Sequence, residues 1–90
     1  MIETKKIEEI LIRMEKLLSN SELLDWVNAL SFCHRELLNE PKSAKDKIKS
    51  MYGGMGSLND IVLYKDGQLL ISENMEFDEL REKLYGLCRE

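Results

Sequence analysis

The dipeptide Asp66-Gly67, set between the apolar runs IVLY (61–64) and QLLI (68–71), constrains this chain more than any other feature. Asp-Gly is a favoured central pair of the type I′ two-residue turn, so the flanking runs are predicted to fold back as an antiparallel β-hairpin. The predicted register sets Tyr64 against Leu69, Leu63 against Leu70 and Val62 against Ile71. Alternation then places Val62, Tyr64, Leu69 and Ile71 on one face and Ile61, Leu63 and Leu70 on the other. Both faces are apolar, whereas a hairpin wetted on one side alternates with polar residues. The surrounding helices are therefore expected to shield the ribbon on both sides. A lone two-stranded hairpin is marginal and leaves both edges open. The further expectation is a homodimer through the β-hairpin, joined edge to edge or with each copy covering the other's second apolar face.

Helical periodicity fills the rest of the chain. From Ile2 to about Ser19, Ile7, Ile10, Leu11, Met14, Leu17 and Leu18 recur at three and four. A second helix is expected from the capping oxygens of Asn20 and Ser21 to Asn39, with Leu23, Trp26, Val27, Leu30, Leu37 and Leu38 inward, ending before Pro41. A third, capped by Ser43, runs through Met51 with Ala44, Ile48 and Met51 inward, and Gly53 is expected to stop it in a left-handed conformation. A closing helix from about Glu76 carries Phe77, Leu80, Leu84, Leu87 and Cys88 on one stripe. The fold class is thus α+β, one domain over residues 1–90: an αα-hairpin, a short third helix, a two-stranded antiparallel β-hairpin and a C-terminal helix.

Charge narrows the function. Thirteen basic and seventeen acidic side chains give a net charge of −4, which disfavours nucleic acid as a partner because phosphate affinity needs clustered cations. The exception is a basic island, Lys42, Lys45, Lys47 and Lys49, read first as solvated charge. No apolar run approaches the roughly 18 residues of a membrane span, so no membrane association is expected and a cytoplasmic location is the default. Cys33 and Cys88 lack CxxC spacing and a histidine pair, so no metal, cofactor or disulfide is expected, and both are read as small core residues.

The segment GGMGSLND, residues 53 to 60, is the main candidate site. Backbone N–H groups around glycines can cradle an anion. Yet no Lys follows the last glycine as in a Walker A loop, and the segment follows a helix and opens a strand, the reverse of the dinucleotide fingerprint. The leading reading is a structural or interface turn in which Gly54 or Gly56 takes positive φ and Asn59 or Asp60 binds local backbone. The ligand- or partner-binding candidates are Gly53, Gly54, Gly56, Ser57, Asn59 and Asp60; no residue is assigned as catalytic. His34 is expected to point inward from the second helix and to need a hydrogen-bond partner. Glu8, Glu9, Glu15, Glu79 and Glu82 fall outside the apolar stripes and are read as solvated. Ile12 and Phe32 stand opposite the main stripes, as scatter or as a second packing surface.

The box Gly53, Gly54, Met55, Gly56, Ser57, Asn59 and Asp60, with Leu58 at the variable position, resembles a family of small uncharacterised bacterial proteins that carry it just before a strand. The resemblance covers residues 51 to 75. It implies a bacterial cytosolic setting and a role for the box in contacts, and no reaction.

Three functional readings follow, in order. The first is a non-enzymatic protein-interaction module of regulatory or immunity type, engaging a protein partner through its acidic exterior and the loop. The second is a small-anion or nucleotide binding module centred on the loop. The third is a hydrolase-type enzyme using Asp60 with Ser57 or His34.

Overall fold

The computed structural model describes residues 2–53 and 56–89. The fold is α+β. Helix α1 spans Ile2–Asn20, α2 Leu24–Asn39, α3 Pro41–Ser50 and α4 Ile71–Arg89; a single 3-10 turn, Leu58–Asp60, precedes the strands β1, Tyr64–Lys65, and β2, Gln68–Leu69. The helices pack in cyclic order, α1 on α2, α2 on α3, α3 on α4 and α4 back on α1. The apolar stripes converge between them: Ile7, Leu11, Met14 and Leu18 of α1 meet Leu30, Cys33 and Leu37 of α2, Ala44 and Ile48 of α3, and Phe77, Leu84 and Cys88 of α4 in one buried cluster. No helix among the described residues is long and apolar enough to cross a membrane.

The joints between helices differ from those expected. Asn20 and Ser21 do not cap α2. Instead α1 closes with the backbone bonds of a Schellman motif, Leu23 N–H to Leu18 C=O and Glu22 N–H to Ser19 C=O, both 3.0 Å. Glu22 takes the left-handed position, φ 60°, that glycine would occupy without strain. Leu23 precedes α2 without a side-chain cap bond. Ser43 is not a cap either, because α3 starts two residues earlier at Pro41, whose fixed φ and missing N–H suit the first helical position. Leu38, expected inward, is 65% exposed; Cys33 and Leu37 already fill the face of α2 that meets the core.

His34 meets the polar partners it was expected to need, and they come from α1. Its Nε2 lies 3.1 Å from Glu8 Oε2 and its Nδ1 3.5 Å from Glu15 Oε2. Glu8 and Glu15 are therefore partly covered rather than freely solvated, with side chains 32% and 20% exposed. Burial pushes the Glu15 carboxyl above its ordinary value, against the pull of His34.

The hairpin forms with the predicted turn but is shorter. Asp66 and Gly67 take φ 52° and 77°. Tyr64 pairs with Leu69 and Lys65 with Gln68. Leu70 N–H reaches Leu63 C=O at 3.1 Å, and there the pairing ends, because Ile71 opens α4 instead of facing Val62. The final helix thus begins five residues before Glu76. Asn74 explains the early start: its N–H bonds Leu70 C=O at 2.9 Å, and its side-chain amide donates to the carbonyls of Leu70 (2.8 Å) and Leu63 (3.0 Å) while accepting from Leu63 N–H (2.8 Å). The Asn74 side chain thereby accepts the Leu63 N–H that Leu70 C=O would have accepted had the hairpin pairing continued.

The expectation that the chain shields both faces of the ribbon is overturned. Ile61 and Leu63 are buried and Leu70 partly so, but Val62, Tyr64 and Leu69 are about half-exposed and Ile71 is 67% exposed. The inner residues join the core cluster of the four helices, and among the described residues the outer face is left open.

Two outcomes are expected. Replacing Asn74 with Ala strands the buried backbone N–H of Leu63 and should cost about 3 kcal/mol of unfolding free energy in a urea titration; Asn74→Asp, which keeps the acceptor but loses both donors, should not restore it. For Glu15, a folded-state carboxyl held above its usual 4.5 makes the native state bind more protons than the unfolded chain just above that pH. Stability from this group is therefore complete below the usual value and falls as pH rises through the shifted one. Glu15→Gln should match the wild type in melting temperature in acid and exceed it at neutral pH.

Candidate functional site

Helix α3 ends without help from Gly53. Met51 N–H bonds Ile48 C=O and Tyr52 N–H bonds Lys49 C=O, both at 3.1 Å, and Gly53 is not in the left-handed region expected of it. Gly56 is, with φ 74°. Gly54, the other glycine proposed for that role, and Met55 lie outside the described residues.

Each polar side chain of the box binds backbone nearby. Asp60 Oδ2 accepts Gly56 N–H at 2.7 Å. Ser57 Oγ accepts Asn59 N–H at 3.3 Å, capping the 3-10 turn, and Ser57 is buried. Asn59 Nδ2 donates to Tyr52 C=O at 2.7 Å, while Leu58 N–H reaches Met51 C=O at 2.8 Å and pins the loop's exit to its entrance. Leu58 itself is fully buried. Gly56, Ser57, Asn59 and Asp60 thus come together as a turn that clasps itself. The Asp60 carboxylate is committed to a peptide N–H, and His34, its suggested partner in a hydrolase, is engaged on α1.

The other candidate groups sort in the same manner. Cys33 and Cys88 are buried and free, and burial raises both thiols, Cys88 to about 11, so neither supplies a thiolate at neutral pH. In the basic island Lys47 binds Glu36 Oε2 at 2.6 Å and holds that carboxyl below its ordinary value, Lys45 lies 3.6 Å from Glu3, and Lys49 lies 3.5 Å from Asp46. Lys47 also stands 4.8 Å above the Phe32 ring and so partly covers that outlying residue. Among the described residues no group of three or more His, Cys, Asp or Glu is placed to hold a metal ion.

What sequence reasoning missed is the helix behind the box. Arg81 of α4 donates through Nη1 to the carbonyls of Leu58 (2.9 Å) and Ile61 (3.2 Å), and through Nη2 to Asp78. Burial lowers its pKa, yet it remains charged, as arginine does. Tyr52 returns the link by donating its hydroxyl to Arg81 C=O at 2.8 Å. Between the end of α3, the box and α4 lies an open groove of about 650 Å³, bordered by Gly53 and Asn59 of the box, by Tyr52 and Lys49, and by Asp78, Arg81, Glu82, Tyr85, Gly86 and Arg89 of α4. Of the predicted candidates among the described residues, Gly53 and Asn59 border it. A signal for Arg81 was present in the spacing, since it sits four residues after Phe77 and three before Leu84 on an otherwise apolar flank.

The two described glycines of the box should respond oppositely to substitution. Gly56→Ala places a Cβ in the left-handed region and should lower stability by about 1 kcal/mol, whereas at Gly53 a Cβ meets nothing within 4 Å and Gly53→Ala should be neutral, both measured by chemical denaturation.

No curated protein and no solved structure matches this chain. A family described as a domain of unknown function, DUF6966, matches residues 19–71. That span takes in α2, α3, the box and the hairpin, and stops where α4 begins. With more than half of its residues inside the match, the chain belongs to the DUF6966 family.

Proposed function

We propose that this protein is a non-enzymatic protein-interaction module that docks through the outer face of its hairpin. The observation that carries the reading is the exposed apolar surface of Val62, Tyr64, Leu69 and Ile71, continued one helical turn along α4 by Met75, which is 64% exposed. Scattered apolar residues on a surface are ordinary, but a continuous set on one face of a β-ribbon marks a contact surface. The first occupant is a second copy of the chain, because the hairpin carries both an apolar face and free edges for pairing. The acidic exterior, net −4, would then favour a basic protein partner of the assembled module. The setting proposed is the bacterial cytoplasm, supported by the resemblance of the box and by two free cysteines, which suit a reducing compartment.

Magnitudes set the strength of the dimer. Val, Tyr, Leu, Ile and Met side chains exposed to this degree have roughly 1 kcal/mol each still to gain on burial. Five residues on each of two copies therefore offer about 10 kcal/mol, against an association cost of about 4 to 15 kcal/mol. The association is weak and concentration-dependent. Light scattering across a dilution series should show a mass rising from 10.5 kDa toward twice that value at high micromolar concentration, and Leu69→Lys should hold it at the monomer without lowering the melting temperature. A wild-type chain that stays at 10.5 kDa throughout would overturn the second copy as occupant.

A further inference from the structure

The groove between α3 and α4 lies apart from the hairpin face and has features that packing alone does not require. Gly86 is the clearest. It stands inside α4, where glycine costs about 1 kcal/mol relative to alanine. Two usual reasons for such a glycine are absent: its φ lies outside the left-handed region, and a Cβ built on it meets nothing within 4 Å. Gly86 borders the groove, so the missing side chain leaves space in its wall.

That space adjoins an aromatic pair. The Tyr52 and Tyr85 rings lie 4.9 Å apart, tilted by 56°, and the hydroxyl bond to Arg81 C=O holds Tyr52 in place. Cations flank them. Arg89 lies over the Tyr85 ring at 5.5 Å, and Lys49 borders the same groove from α3, held only by an exposed contact to Asp46 at 3.5 Å. Of the two acids on the rim, Asp78 is taken by Arg81, which leaves Glu82 as the opposing charge. In a chain of net charge −4, three cations, Lys49, Arg81 and Arg89, border the groove against two acids, Asp78 and Glu82, so the groove does not share the acidic balance of the whole. Asn59 and the backbone of Gly53 add polar groups at the end of the groove nearest the box.

We infer that this groove binds a small planar molecule bearing one anionic group, the plane lying against Tyr85 over the gap at Gly86 and the anion between Lys49 and Arg89. About 650 Å³ falls within the range of ligand clefts and accommodates a nucleoside monophosphate or a smaller aromatic carboxylate. The two share the chemistry that the walls can read: a π-face for the tyrosines and an acid for the cations.

The probes are AMP, 4-hydroxybenzoate and inorganic phosphate, titrated into the isotopically labelled full chain by NMR. AMP or 4-hydroxybenzoate should give saturable shifts of the amides of Lys49, Tyr52 and residues 85–89, and the tighter of the two identifies the source of the acid. Phosphate alone should bind at least about tenfold more weakly, a difference of about 1.4 kcal/mol. Gly86→Leu fills the gap with a better helix former, so it should keep or raise the melting temperature while weakening the probe about tenfold or more. Arg89→Ala should weaken it in the same direction. The proposal is overturned if neither aromatic probe saturates at millimolar concentration, if phosphate binds as tightly as they do, or if Gly86→Leu folds and binds unchanged.

Discussion

Two side chains of α4, Asn74 and Arg81, supply the hydrogen bonds that let Leu58, Ile61 and Leu63 be buried on a segment that is not a strand. Backbone N–H and C=O groups withdrawn from water must find partners, and a segment outside regular structure has none of its own. Asn74 gives Leu63 both a donor and an acceptor. Arg81 gives the carbonyls of Leu58 and Ile61 a charged donor. With those groups satisfied, Leu58, Ile61 and Leu63 can face the core, and each is buried. The box is thus held from both directions, by its own Ser57, Asn59 and Asp60 and by a helix far along the chain.

This arrangement explains why the hairpin keeps one naked face. Leu63 turns its N–H and C=O toward β2, where Leu70 N–H reaches the carbonyl and the Asn74 amide takes the N–H. A side-chain amide there replaces the Leu70 carbonyl, which is left to accept from Asn74 N–H, so α4 starts directly after β2 and turns toward the other helices. The inner residues Ile61, Leu63 and Leu70 go with it. Val62, Tyr64 and Leu69, of opposite parity, cannot follow, because alternation in an extended chain sends them outward, and Ile71 is exposed on the first turn of α4. The exposed surface is therefore a consequence of how the inner one is satisfied, and the proposed self-association would complete what the single chain leaves open.

The legible parts of the fold were those written in short-range patterns. The Asp66-Gly67 turn and its register came from turn chemistry, and the apolar stripes of all four helices came from spacing. Helix ends were less legible wherever backbone rather than side chains did the capping: Glu22 in a left-handed position carries no sequence mark, and Pro41 both ends one helix and starts the next. The start of α4 was misplaced because Ile71 continues an apolar strand pattern, and only the long-range bonds of Asn74 decide against it. At the site, the residues chosen for their composition proved to bind one another, whereas the groove beside them is built from Tyr52, Tyr85, Gly86 and Arg89, which meet only through the packing of α3 on α4.

Arg81 ties these two surfaces to one strut. Its guanidinium holds the carbonyls at the exit of the box, its own carbonyl holds the Tyr52 hydroxyl at the entrance, and the Tyr52 ring forms a wall of the groove. A shift of the hairpin root at Ile61 would therefore pull on Arg81, and a shift of Arg81 along α4 would tilt Tyr52. Because both contacts are hydrogen bonds to backbone at 2.8 to 3.2 Å, either motion must break or carry the other before it proceeds far.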